Sequence, residues 1–215
     1  MDKGKTTKRK RHRKLLKGWG AVVLAAGKGT RMKSRVPKVL HQVCGKAMVQ
    51  YPVDIITDLG IRQPVVVVSP QAKKLVRDLL GSEAAYLVQN EPLGTGHAVQ
   101  CAIGQVADRM ENLLVMYGDC PLFEQSTILN LVSEHLSTGA SLTVLTAMAD
   151  TNTDMGRVIR DGKGSVSAIV ESRDVNTEII DGSCEVNAGV YCFKMPWLLK
   201  NIGNIGASSS GERYL

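Results

Sequence analysis

No stretch of this chain approaches the roughly 18 consecutive apolar residues that a membrane-spanning helix needs. That holds although 44 % of its 215 residues are hydrophobic. A membrane partner is therefore not expected. Five cysteines (Cys44, Cys101, Cys120, Cys184, Cys192) stand apart, odd in number and without a CxxC pair. That spacing argues against a zinc site and against a disulfide framework, so reduced thiols are expected. His12, His41, His97 and His135 are equally dispersed. Basic residues precede the apolar run Trp19 to Ala26, yet the run is too short for a signal peptide and ends in Gly27-Lys28-Gly29 instead of a cleavage site. A cytoplasmic location follows by elimination. No internal repeat is visible. Two familiar phosphate-binding fingerprints are missing as well. The P-loop needs GxxxxGK[ST], and the dinucleotide pattern needs a third glycine where Met32 stands.

Acidic residues are scarce at one end only. The formal charge is +7, but the first 17 residues hold nine Lys/Arg against one acid. The remainder, with 18 basic and 19 acidic residues, is near neutral. Residues 1–18 read as a basic, solvated tail and 19–215 as one domain. Nucleic acid is not an expected partner, unless through that tail.

What is present is a loop that combines glycine with cations. Leu24-Ala25-Ala26-Gly27-Lys28-Gly29-Thr30-Arg31-Met32 leads to Lys38 six residues later. Glycines let successive N–H groups turn toward a ligand, and such concave nests bind anions. Lys28, Arg31 and Lys38 supply enough charge to face a polyphosphate. Around this loop, the apolar pattern alternates between strand and helix. Strands are expected at Ala21 to Ala26, Val65 to Val68, Ala85 to Val88, Asn112 to Tyr117 and Ser141 to Ala147. Helices are expected at Met48 to Leu59, Gln71 to Leu80, Thr95 to Val106 and Ile128 to Leu136. The reading is an α/β fold with a Rossmann-like, mostly parallel sheet covered by helices on both faces. After Asp150, short strands at Val158 to Arg160, Val166 to Ile169 and Val186 to Phe193, with Asp161-Gly162 and Asp181-Gly182 turns, suggest a small antiparallel insertion over the site.

Ligands of parallel sheets bind beyond the C-terminal strand ends, and two further motifs belong there. Gln89-Asn90-Glu91-Pro92-Leu93-Gly94-Thr95-Gly96-His97-Ala98 opens a helix, with Thr95 as a candidate N-cap. Gln89 carries both a donor and an acceptor, suited to the edge of a pyrimidine. Tyr117-Gly118-Asp119 places a carboxylate at the sheet edge, where it is either a Mg²⁺ ligand beside phosphate oxygens or a helix cap.

Together these segments resemble the sugar-1-phosphate nucleotidyltransferases, most closely the N-acetylglucosamine-1-phosphate uridyltransferase half of a bifunctional bacterial enzyme. The likeness runs from Ala21 through LAAGKGTRM, Pro37-Lys38-Val39-Leu40-His41, Leu93 to Ala98, Tyr117-Gly118-Asp119, Gly156-Arg157, Ile169-Val170-Glu171 and Glu185-Val186-Asn187-Ala188-Gly189. It implies that Leu24, Ala25, Ala26 and Gly27 contact UTP while Arg31 and Lys38 grip its phosphates. Gln89, Gly94 and Thr95 would hold uracil. Tyr117, Gly118 and Asp119 would surround the reacting phosphates, with Asp119 ligating Mg²⁺. Gly156, Glu171 and Asn187 would bind the sugar of N-acetylglucosamine-1-phosphate. The family's Asn-Thr-Gly is here Asn187-Ala188-Gly189, which removes a hydroxyl beside that pocket. The resemblance also implies a second metal ligand, an Asn, and an acetyl-transferring β-helix domain beyond Leu215. On that reading these residues are a fragment, and a homotrimer depends on the further domain. Cytidylyl or guanylyl transfer, nucleotide binding without turnover, and nucleic-acid binding through the tail are the competing expectations.

Overall fold

The computed structural model describes residues 15–106, 110–150, 153–171, 174, 182–208 and 211–215. The basic residues up to Lys14, and Asp181 of one expected turn, lie outside the described residues. Leu16, which the sequence reading leaves in the tail, is buried in the core.

Strand β1 (Trp19–Ala25) is buried along its whole length, as expected of a parallel strand covered on both sides. It lies between β4 (Val65–Val68) and β6 (Asn112–Tyr117), parallel to both, and β5 (Ala85–Val88) extends the parallel part beyond β4. Between β1 and β4 the chain makes a hairpin, β2 (Gln42–Val43) with β3 (Lys46–Ala47). Helices α1 (Gln50–Leu59), α2 (Lys73–Leu80) and α4 (Gln125–Thr138) pack against one face, through Ile56, Val76 and Val132 against Val23, Val66 and Met116. Helices α3 (Thr95–Val106) and α5 (Met195–Asn201) cover the other, through Val99 and Leu198 against Val22, Val67 and Val115. Successive residues of β1 thus enter opposite cores, which is the period-two alternation of a strand.

The antiparallel strands exist, and they are part of the main sheet. β10 (Ser183–Lys194) pairs antiparallel with β6, placing Tyr191 opposite Val115. It also carries β7 (Leu142–Asp150) and β8 (Arg157–Arg160), and β8 pairs with β9 (Val166–Val170). All of them extend one eight-stranded sheet of order β5-β4-β1-β6-β10-β8-β9. The reason lies in β10, whose residues Val186 to Phe193 are buried on both faces. A strand apolar on both sides must be central, so it continues the sheet. Helix α5 and the β2–β3 hairpin have no counterpart in the sequence reading, whereas the other helices and strands fall within a few residues of expectation.

Candidate active site

Strands β1, β5 and β6 run parallel, so the loops that follow them emerge at one edge. There they enclose a cavity of about 630 Å³. Its lining includes Leu24, Ala26, Gly27, Arg31, Lys38, Gln89, Gly94, Thr95, Tyr117 and Asp119. Three loops separated by up to 95 positions of sequence therefore share one space. Ala25 does not reach it, because it faces the opposite core with 2 % exposure. Gly118 is buried and donates its N–H to the Leu24 carbonyl at 2.8 Å, holding β6 to β1 just before Asp119.

On the cavity wall, Lys38 Nζ lies 2.5 Å from Asp119 Oδ2. The pair is half-exposed, so water screens it and either partner can turn toward a ligand at modest cost. Gly29 makes this approach possible: at φ 58°, a Cβ there would sit 2.7 Å from Lys38 Cβ. Arg31 stands at the rim, 2.9 Å from Asp154. Beside Asp119, burial and the adjacent carboxylate push the Cys120 thiol up to about 12. It stays protonated at neutral pH and is not a nucleophile. Among the described residues no cluster of three or more His, Cys, Asp or Glu could hold a metal. Asp119 alone still fits Mg²⁺, which commonly takes one or two carboxylates and fills its octahedron with substrate phosphates and water.

The second loop is braced by residues that sequence reasoning missed. Arg213 donates its N–H to the Leu93 carbonyl at 2.7 Å and accepts from Gly96 N–H at 2.8 Å. Leu215 N–H reaches Thr95 Oγ1 at 3.1 Å. Glu212 and Tyr214 complete the cavity wall. Gly94, at φ 94°, allows this contact, since a Cβ would fall 2.3 Å from the Arg213 carbonyl oxygen. Thr95 is the first residue of α3, not its cap. Gly94 provides the capping carbonyl, accepting from Ala98 N–H at 3.1 Å. No local sequence signal marks Glu212 and Tyr214, whose chain neighbours Arg213 and Leu215 bond to residues more than a hundred positions away.

Gly156, Glu171 and Asn187 gather apart from the cavity lining. Asn187 N–H donates to the Gly156 carbonyl at 2.8 Å, and a Cβ on Gly156 would meet Glu171 Oε1 at 3.4 Å. Asn187 is turned inward: Nδ2 donates to the Tyr191 hydroxyl, and Oδ1 accepts from Gly189 N–H at 2.9 Å. The Tyr191 hydroxyl is 3.2 Å from that of Tyr117, a cavity residue also bonded to Thr95. Burial pushes both phenols above their ordinary value, Tyr191 well above it. Both keep their protons at neutral pH, and the chain of hydroxyls links the two groups of residues.

A doubly covered α/β sheet with a cationic, glycine-containing nest and a carboxylate at the strand ends defines a phosphate-handling, nucleotide-type domain. Residues 21–155 match the MobA-like NTP transferase domain model. The chain belongs to that family, and so to the nucleotidyltransferases. It is 46 % identical over 196 residues to the bifunctional protein GlmU of Heliobacterium modesticaldum, covering 91 % of this chain and 42 % of that protein. Against the GlmU of Exiguobacterium sibiricum the identity is 45 %, covering 91 % of this chain and 43 % of that one. The chain thus spans less than half the length of these relatives. Among solved structures, a protein assigned as a glucose-1-phosphate thymidylyltransferase from Bacillus anthracis, solved with a sucrose, superposes with TM-score 0.74. It is 19 % identical, with 90 % of this chain and 78 % of that chain covered. HddC from Yersinia pseudotuberculosis gives TM-score 0.66 at 23 % identity, covering 91 % and 82 %. At these identities the two structures establish the fold.

Proposed function

We propose that this domain transfers UMP from UTP to N-acetylglucosamine-1-phosphate, giving UDP-N-acetylglucosamine, a precursor of cell-wall and envelope polysaccharides, and pyrophosphate. The observation that carries the reading is the convergence of the Gly27 nest, Lys38 and Asp119 on one cavity that Gln89 and Gly94 also line. The identity to GlmU across 91 % of the chain supports the choice of substrates.

In the reaction, a phosphate oxygen of the sugar phosphate attacks the α-phosphorus of UTP. The bond from that phosphorus to the bridging oxygen breaks, and the electron pair leaves with pyrophosphate. The nucleophile is already anionic at neutral pH, so no general base is required. The absence of an activated Ser, Cys or His in the lining agrees with this. Positioning and countercharge must then lower the barrier. Backbone N–H groups from Ala26 to Gly29 cradle the phosphates. Arg31 and Lys38 offset their charge, Lys38 releasing Asp119 as it does so. Asp119 would hold Mg²⁺, which when bound stabilises the charge on the leaving pyrophosphate. Leu24 and Ala26 lie beneath the nucleotide, and Gln89, Gly94 and Thr95 bound the base. Gly156, Glu171 and Asn187 serve the sugar, with Tyr117 between the two halves. The five free cysteines agree with a reducing compartment. Among the described residues no helix is long and apolar enough to cross a membrane. The cytoplasm is the location we assign.

The test is pyrophosphate release from each of four NTPs, with N-acetylglucosamine-1-phosphate and with glucose-1-phosphate. Magnesium-dependent release from UTP with the amino sugar is expected. Preference for CTP or GTP would move the domain to another substrate class. UTP binding with no product would make it a nucleotide-binding module.

A further inference from the structure

The base-facing glutamine is held by a second layer of side chains that no part of the mechanism uses. Gln89 lines the cavity with only 5 % of its surface exposed. Its Nε2 lies 3.1 Å from the Gly94 carbonyl oxygen and 3.0 Å from His97 Nδ1. A carbonyl oxygen only accepts, so the amide atom facing it must be the nitrogen. An amide nitrogen only donates, so His97 Nδ1 must be bare and accept the second N–H. The imidazole proton is then on Nε2, which lies 3.5 Å from Cys101 Sγ, within reach of a thiol acceptor. Burial raises the Cys101 thiol, keeping that sulfur uncharged. Every polar atom in this row has one role, and both donors of Gln89 are consumed.

We infer that His97, supported by Cys101, locks the Gln89 amide so that it presents the cavity with an acceptor alone, and thereby selects uracil over cytosine. The base edges supply the discrimination. Uracil offers N3–H, a donor, to Gln89 Oε1, whereas cytosine offers a bare N3, a second acceptor. A free amide could rotate by half a turn and satisfy either base. His97, held in the Nε2–H tautomer, reinforces the Gly94 carbonyl against the rotation, because turning would set Oε1 against the carbonyl and the imidazole lone pair together. His97 is not in the cavity lining, so it is a positioning residue. The inference rests on the uridylyl reading above and goes beyond it by naming what enforces the choice of base.

The experiment measures Mg²⁺-UTP and Mg²⁺-CTP affinity by calorimetry for wild type, His97→Leu and His97→Asn. Leucine removes the acceptor at Nδ1, and the ratio of UTP to CTP affinity is expected to fall about tenfold or more. Asparagine can place Oδ1 where Nδ1 stood, and should restore most of the ratio. A purely packing role would weaken both nucleotides alike and leave the ratio unchanged, which overturns the inference. If His97→Leu does not fold, the imidazole ¹⁵N shifts of the wild type decide. Protonation at Nε2 supports the lock, and protonation at Nδ1 overturns it. A wild type indifferent between UTP and CTP would instead show that the uridylyl reading itself has failed.

Discussion

Asp119 follows one strand of the sheet and Asn187 lies within another, yet the two halves of the molecule treat them oppositely. Asp119 follows a parallel strand, keeps 26 % of its side chain exposed, and has its carboxylate beside one partly exposed cation, Lys38. Asn187 lies within antiparallel β10 at 8 % exposure, with both ends of its amide bonded to β10 itself. At Asp119 the parallel half therefore holds a carboxylate in an exchangeable pair at an open edge, where a ligand can replace the partner. At Asn187 the antiparallel half holds an amide in fixed bonds, where it shapes a wall. Chemistry that must trade one ionic partner for another suits Asp119, and recognition by a fixed surface suits Asn187 and the locked Gln89.

Three substitutions or titrations sharpen this contrast. The largest effect is expected from Asp119→Ala, which should lower turnover by about 10²–10³-fold. Because its ion pair is half-exposed, the same change should hardly alter the denaturation midpoint. A large loss of stability with normal turnover would reverse the assignment. Next, Asn187→Ala leaves the Gly189 N–H without its acceptor in a buried setting, and should destabilise the fold by about 1–3 kcal/mol in urea titrations. An unchanged midpoint would mean that Asn187 is as exchangeable as Asp119. The smallest effect is a pH dependence in the antiparallel half. His135 is fully buried on α4, with Nδ1 2.8 Å from Thr143 Oγ1 on β7 and Nε2 without a hydrogen-bond partner among the described residues. Burial, then Lys194, lowers its affinity for a proton below the ordinary value. The unfolded chain then binds the proton more readily than the folded one. Stability should be unaffected by this group above about pH 6.5 and fall as pH drops from there toward the lower folded value. His135→Phe should flatten that part of the profile, and a profile unchanged by it would remove His135 from the account.

The contrast also explains what could be read from the sequence. The three cavity loops were legible because their signals are local: glycines, cations and a carboxylate directly after apolar runs. The parallel half was legible for the same reason, since each strand is bounded by its own turn residues. The central place of β10 was not, because it depends on Tyr191 meeting Val115, a pairing set by the tertiary fold. Nor was the wall made by Glu212 and Tyr214, which rests on bonds such as Leu215 to Thr95 across 120 positions. Thr95 looked like a cap because threonine favours that place. Its hydroxyl is instead drawn to Tyr117 and to the Leu215 N–H, while the Gly94 carbonyl opens the helix.

The most direct test is a crystal structure of the protein with UTP and Mg²⁺. The account predicts the triphosphate along the Gly27–Arg31 turn, with the ion bridging it to Asp119 and Lys38 swung from the carboxylate onto phosphate oxygens. A nucleotide bound elsewhere, with the Lys38–Asp119 pair still closed, would contradict it.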